Sequence, residues 1–240
     1  MIRLFVPQDL THEATFALAL EQGRYLTTVM RRTAGDQFAA FNGRDGEWRC
    51  ELVEVGKKVV VVRPVELVLP QGPAPTLELL IAVIKRGPLE TVVEKATELG
   101  AARIQLIVTE RTQGDRVRLD RLTAIAIESA EQTGRLDVPA VLAPVNLEHW
   151  LAQNGNRRVM MCDETGDAHP VSQALADATP ADWSLLIGPE GGFSSEERAG
   201  LRADPRVTPV SLGPRILRAD TAAISALTLW QSTIGDWTAP

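Results

Sequence analysis

The chain has 240 residues, of which 45% are apolar and 23% charged, and a formal net charge of −6. That composition suits a globular protein able to bury about three-quarters of its unfolded surface, and argues against disorder and against indiscriminate coating of nucleic acid. Cys50 and Cys162 form no Cys-x-x-Cys pair and His12, His149 and His169 are scattered, which argues against structural zinc or a disulfide framework.

Residues 1–70 read as β structure. "RLFV", "DQFAAFNG", "EWRCELVEV" and "KKVVVVRPVELV" are β-branched or alternating, and Asp45-Gly46 marks a hairpin turn between two of them. The expectation is a small barrel or sandwich, interrupted by one helix over about 14–32 with Leu18, Leu26, Val29 and Met30 on its apolar face. "LPQGPAPT" packs three prolines and a glycine into eight residues, and the domain boundary is placed there. From Leu77 onward strands and helices alternate. Strand "LELLIAVI" precedes a helix with Pro88 in its first turn and Gly100 just past its end; strand "RIQLIVT" precedes a helix over 119–133, stopped by Gly134. Further strands are predicted at "AVLA", "RVMMC", "SLLIG" and "VTPVSLG", with helices near Leu147, Val171 and Ser195 and a last one over about 219–230. This alternation predicts a mostly parallel α/β sheet, whose ligands sit beyond the carboxyl ends of the strands. The apolar runs are too short for a membrane span and "MIRLFVPQ" lacks a signal-peptide plan, so a cytoplasmic protein without membrane association is expected. Residues 1–70 hold nine Lys and Arg against nine Asp and Glu, whereas 71–240 hold 16 against 22; contact with RNA would need local basic patches.

Two segments carry the chemistry. "LLIGPEGGFSSEE" joins a strand to a helix through Gly188, Gly191 and Gly192, as a phosphate cradle does, yet has no cation and places Glu190 at its centre. Glu190 would repel a phosphate, so the loop suits close backbone approach to a ligand that is neutral or cationic there. Ser194 and Glu197 have capping-box spacing and read as structural. "VSLGPRILRADTAAISAL" repeats the plan: strand, Gly-Pro turn, then a helix opened by Asp220 or Thr221. Ile216 and Leu217, between Arg215 and Arg218, either wall a flat ring such as adenine or enter the core at the helix start; both readings stay open.

These two segments, with "IRLFV", "YLTTVMRRTAGD", "KATELGA", "TERTQ" and "ESAEQTGRLDVP" in order along the chain, resemble the RsmE family, the small-subunit ribosomal RNA uridine-N3 methyltransferases of the SPOUT class. The resemblance implies a PUA-like RNA-binding β-barrel over 1–70 and a SPOUT α/β domain over 77–240 with a deep trefoil knot that binds S-adenosylmethionine. The donor, a sulfonium with an uncharged adenine and no phosphate, accounts for Glu190 in the glycine loop. The implied donor site comprises Ile187, Gly188, Pro189, Glu190, Gly191 and Gly192; Leu212, Gly213, Arg215, Ile216, Leu217 and Thr221; and Met161 and Cys162 from a third loop, "MCD". No metal is implied. "RADTA" stands where the family has "RTETA", and Arg24 replaces a common His, which puts any role for that His in doubt.

Methylation at N3 removes a proton from uridine, so Arg218 is the candidate for stabilising the anion and Glu190 for the base; Glu190 ordering its own loop is the competing reading. Arg3, Arg31, Arg32, Arg111 and Arg135 are candidates for RNA contact, and Gln132 with Arg135 for the pocket of an extruded base. The implied partners are 16S rRNA, within the assembled small ribosomal subunit, and a second copy of the chain as homodimer. Two rivals remain: a non-catalytic RNA-binding protein, which would not bind the donor, and a Rossmann-type enzyme, against which "IAVIKRGPLETV" lacks the G-x-G-x-x-G turn.

Overall fold

The computed structural model describes residues 1–113, 116–165, 167–178 and 182–238. The chain divides into two compact units: Met1–Ala74 with Ala130–Val138, and Pro75–Ser129 with Pro139–Pro240. Residues 130–138, which lie inside the 77–240 span, thus belong with the first unit.

The first unit is a five-stranded sheet in the order β1-β3-β4-β5-β2, built from β1 (Arg3–Phe5), β2 (Phe16–Ala17), β3 (Gln37–Phe41), β4 (Glu47–Val55) and β5 (Val60–Leu69). Cys50 and Leu52 of β4 turn inward to join Phe38, Leu26 and Val62, while Arg49 and Glu51 are half-exposed on the other face. Register shifts in the β4–β5 ladder curl the sheet around this core, and its edges β1 and β2 are not paired with each other. At the expected β3–β4 hairpin, Asn42 Oδ1 accepts from the backbone N–H groups of Arg44 and Asp45, and Gly46 takes φ 82°.

The single helix expected over 14–32 is corrected. Phe16–Ala17 is the edge strand, α1 covers Leu20–Arg24, and Tyr25–Val29 continues as a π-helical turn with Met30 N–H donating to Tyr25 O at 2.9 Å. The wider turn rotates later residues off the face set by Leu26. Leu18 and Leu26 are buried as expected, but Val29 is 66% exposed and Met30 37%.

The second unit is a seven-stranded parallel sheet in the order β10-β12-β9-β11-β6-β7-β8. In chain order it runs β6 (Glu78–Ala82), α2 (Arg86–Glu98), β7 (Arg103–Val108), α3 (Leu119–Thr133), β8 (Ala140–Asn146), α4 (Leu147–Gln153), β9 (Arg158–Cys162), β10 (His169–Pro170), α5 (Val171–Ala174), β11 (Trp183–Ile187), α6 (Ser195–Ala203), β12 (Val207–Ser211) and α7 (Ala219–Thr233). Every residue of β6 and β11 is buried, the signature of strands covered on both faces. Gly100 and Gly134 sit past α2 and α3 at φ 84° and 80°, where a side chain would strain the backbone. β10 was not anticipated: it is two exposed residues paired to β12. α7 opens at Ala219, where the expected span over about 219–230 begins, with Arg218 and not Asp220 or Thr221 at its N-cap. Because β9, β11 and β12 are adjacent and parallel, their following loops emerge at one edge.

Candidate functional site

The loops after β9, β11 and β12 enclose a cavity of about 230 Å³. The β11 loop contributes Ile187, Gly188, Pro189, Glu190, Gly191 and Gly192. Gly192 N–H donates to Pro189 O at 2.9 Å, closing a turn with Glu190 and Gly191 at its tip. Glu190 is exposed, and among the described residues its carboxylate accepts no hydrogen bond, so the reading in which it orders the loop is not supported. Gly192 lies at φ 66°, and a Cβ there would stand 2.6 Å from Glu164 Oε1.

The β12 loop contributes Leu212, Gly213, Arg215, Ile216 and Leu217. Ile216 is 85% exposed, which removes the alternative that it enters the core; with Leu217 it lines the cavity. Ala219 and Ala222, one helical step apart on α7, continue this wall. From the β9 loop come Cys162, Asp163 and Glu164. Burial pushes the Cys162 thiol up to about 12, with the charge of Asp163 adding to it, so the thiol stays protonated and unreactive.

Two expected residues do not line the cavity. Met161 is buried within β9, one residue short of the loop, and Thr221 is exposed on α7 beside the inward Ala222. Sequence reasoning missed Glu164, Ala219 and Ala222; the small residues at i and i+3 after "ILR" were a usable signal for the last two. Arg218 is exposed and is not among the lining residues.

Helix α6 anchors the loops. Ser194 Oγ accepts from Glu197 N–H and Glu197 Oε2 from Ser194 N–H, the expected capping box; Glu197 Oε1 also accepts from Glu110 N–H at 2.8 Å. One and two turns on, Arg198 donates to Glu164 at 2.7 Å and Arg202 donates to Asp163 Oδ2 through Nε at 3.0 Å and Nη2 at 2.8 Å. We expect Ser194→Ala to cost about 1 kcal/mol, read as a shift in the urea midpoint at constant slope. An unchanged midpoint would show that the cap adds nothing to global stability.

The RNA candidates separate. Arg3 donates to Glu47 Oε2 at 2.6 Å and to the carbonyls of Ala130, Glu131 and Arg135 at 2.8–3.0 Å, so three of these four bonds serve the carbonyls of residues 130–135 in its own unit. These bonds hold Arg3 within its own unit. Arg135 pairs with Asp137 at 2.7 Å and its side chain is only 10% exposed, so it too is held inside its own unit. Arg32 lies 3.9 Å from Asp36; Arg31, at φ 53°, and Gln132 are exposed. Exposed Arg111 donates through Nη1 to Gly191 O at 3.2 Å, bringing one candidate onto the glycine loop.

A family model described as an RNA methyltransferase domain matches residues 71–231, and one described as an RNA methyltransferase PUA domain matches 19–65. The ribosomal RNA small subunit methyltransferase E of Rickettsia conorii is 30% identical over 226 residues, 94% of this chain and 93% of its own. The enzyme of that name from Neisseria gonorrhoeae, solved bound to S-adenosylmethionine, has a TM-score of 0.85 at 26% identity, covering 99% of both chains. A Legionella pneumophila protein solved with bound cofactor SAM has a TM-score of 0.86 at 31% identity, covering 98% of each.

Proposed function

The chain belongs to the ribosomal RNA small subunit methyltransferase E family, and on that premise we propose that it transfers a methyl group from S-adenosylmethionine to N3 of a uridine near the 3′ end of 16S rRNA. The observation that carries this reading is the cavity, walled by Ile216 and Leu217 and bearing the carboxylates of Glu164 and Glu190. An apolar wall suits adenine, two carboxylates favour the sulfonium and the ammonium, and Arg215 suits the donor carboxylate. The cofactor fits the residues present.

On this reading residues 1–70 hold RNA and 77–240 carry the transfer, in the cytoplasm, as a homodimer acting on the assembled subunit. From β11 the chain crosses β9 to pair β12 with its far edge before entering α7, an order compatible with the knot the family implies. Glu190, with its carboxylate unengaged at the tip of the loop, suits the base, and exposed Arg218 the stabilisation of the uridine anion. The rate otherwise comes from holding the sulfonium and N3 in line.

The deciding experiment mixes the protein and labelled donor with small subunits lacking the modification, then maps reverse-transcriptase stops. Label with one new stop near the 3′ end supports the reading, whereas label with no such stop moves the target and donor binding without label removes the activity. Arg218→Ala is expected to lower kcat about tenfold at unchanged donor Kd, a modest loss because an exposed cation acts through a water-weakened field. Full turnover in that variant would withdraw Arg218 from the chemistry.

A further inference from the structure

A second concave surface lies at the same edge of the parallel sheet. β6 pairs with β11, Ile81 opposite Ile187, and Val83 N–H reaches Ile107 O of β7, so the residues following β6 emerge beside the glycine loop. There Ile84, Leu89, Val117 and Leu122 floor a cavity of about 100 Å³ rimmed by Arg86, Arg116 and Arg118. Lys85 and Arg121 are exposed on the same two segments. Of the carboxylates here, Glu90 accepts from Arg86 Nε at 2.8 Å and Asp120 from Arg118 Nη2 at 2.7 Å. The hydrogen bond from Arg86 and the charges of Arg86, Arg121 and Arg118 hold the Glu90 carboxyl below its ordinary value.

In a chain of net charge −6, five cations gathered against two carboxylates among the described residues form a local basic patch of the kind RNA contact requires. Arg86 and Arg118 are 65% and 63% exposed, and water weakens ion pairs that open, so the guanidinium groups can be transferred to a stronger anion at little cost. Their spread over two segments, rather than convergence in a closed pocket, matches successive phosphates of a strand and not a single bound phosphate. The apolar floor between them suits the face of a base or ribose.

Resting on the proposed transfer to RNA, we propose that this surface of Lys85, Arg86, Arg116, Arg118 and Arg121 seats the sugar–phosphate backbone of the substrate RNA beside its target nucleotide, delivering the strand to the neighbouring donor cavity. Arg111, already on Gly191 O, lies between the two along the β7 loop. The arginines position the strand and do not touch the reacting atoms.

The test compares wild type with Arg86→Gln/Arg118→Gln and with the charge-keeping Arg86→Lys/Arg118→Lys. Binding to a single-stranded oligonucleotide of the rRNA 3′ region is measured across about 50–200 mM salt, with donor Kd as the folding control. Loss of two phosphate contacts lowers the log–log salt slope by about 1.4, roughly a sevenfold smaller loss of affinity across that range. The Gln pair should show this, with a raised KM for RNA at unchanged kcat and donor Kd, and the Lys pair should keep the wild-type slope. An unchanged slope in the Gln pair overturns the proposal, as does loss of inorganic phosphate binding with RNA binding intact. The slope comparison does not need turnover, so a wild type that binds RNA without methylating it would defeat the activity and leave this surface standing.

Discussion

Gly192→Val should lose about 100-fold in affinity for S-adenosylmethionine while the protein stays folded. Gly192 sits at φ 66°, where a side chain costs about 1–2 kcal/mol and a β-branched one is least tolerated. Its Cβ would also stand 2.6 Å from Glu164 Oε1, and that carboxylate is held by Arg198 at 2.7 Å, so it cannot swing away without breaking an ion pair. The loop would relieve both strains by moving, and movement of a cavity wall is paid in affinity: each 1.4 kcal/mol is tenfold in Kd. Isothermal titration gives the number, and Gly192→Ala should lie near tenfold. Near-wild-type binding by the valine variant would mean that the donor does not sense the shape of this loop.

Asp163→Asn should lower the unfolding free energy by about 2–3 kcal/mol and loosen the donor site with it. The Asp163 side chain is fully buried; it accepts from Arg202 and from the backbone and hydroxyl of Thr165, and Arg198 Nε stands in ion-pair range at 3.3 Å. Removing the charge leaves two guanidinium groups unmatched, although their 22% and 31% exposure keeps the loss below that of a wholly buried pair. Burial alone would raise the Asp163 carboxyl, but the hydrogen bonds from Arg202 and Thr165 outweigh it and hold it below its ordinary 3.8. A folded-state value below the unfolded one contributes stability in full above the unfolded value and loses it as the pH falls through the folded one. The gap between wild type and variant should therefore be constant from about pH 6 to 8 and close below about pH 4. Urea unfolding at both ends of that range measures it; a gap of equal size at acid and neutral pH would assign the loss to packing and not to the charge.

Much of the second unit was legible because a sheet covered on both faces must be apolar throughout. "LELLIAVI" and "SLLIG" could hardly be anything but such strands, and Gly100 and Gly134 mark helix ends by their left-handed backbone. The glycine loop was readable for a related reason, since three glycines and an acid clustered beyond one strand end are not easily explained by packing alone. What escaped was set by partners far away in the chain or by backbone register. Arg3 bonds to residues 127 to 132 positions away, and no periodicity announces such a partner. The π turn over Tyr25–Val29 differs from an α-helix only in which carbonyl each N–H finds, so the apolar spacing of Leu26, Val29 and Met30 misled. Glu164 was hidden because its place depends on Arg198, which the sequence shows only as one more charge on a polar helix.

Helix α6 has a thermodynamic consequence. Ser194, Glu197, Arg198 and Arg202 hold segments from three separate parts of the chain, so the freedom of those segments is removed when the protein folds rather than when the donor arrives. A ligand that need not order its own walls keeps more of its contact energy as affinity. The short helix thus acts as a store of prepaid entropy, spent once in folding and drawn on at every turnover.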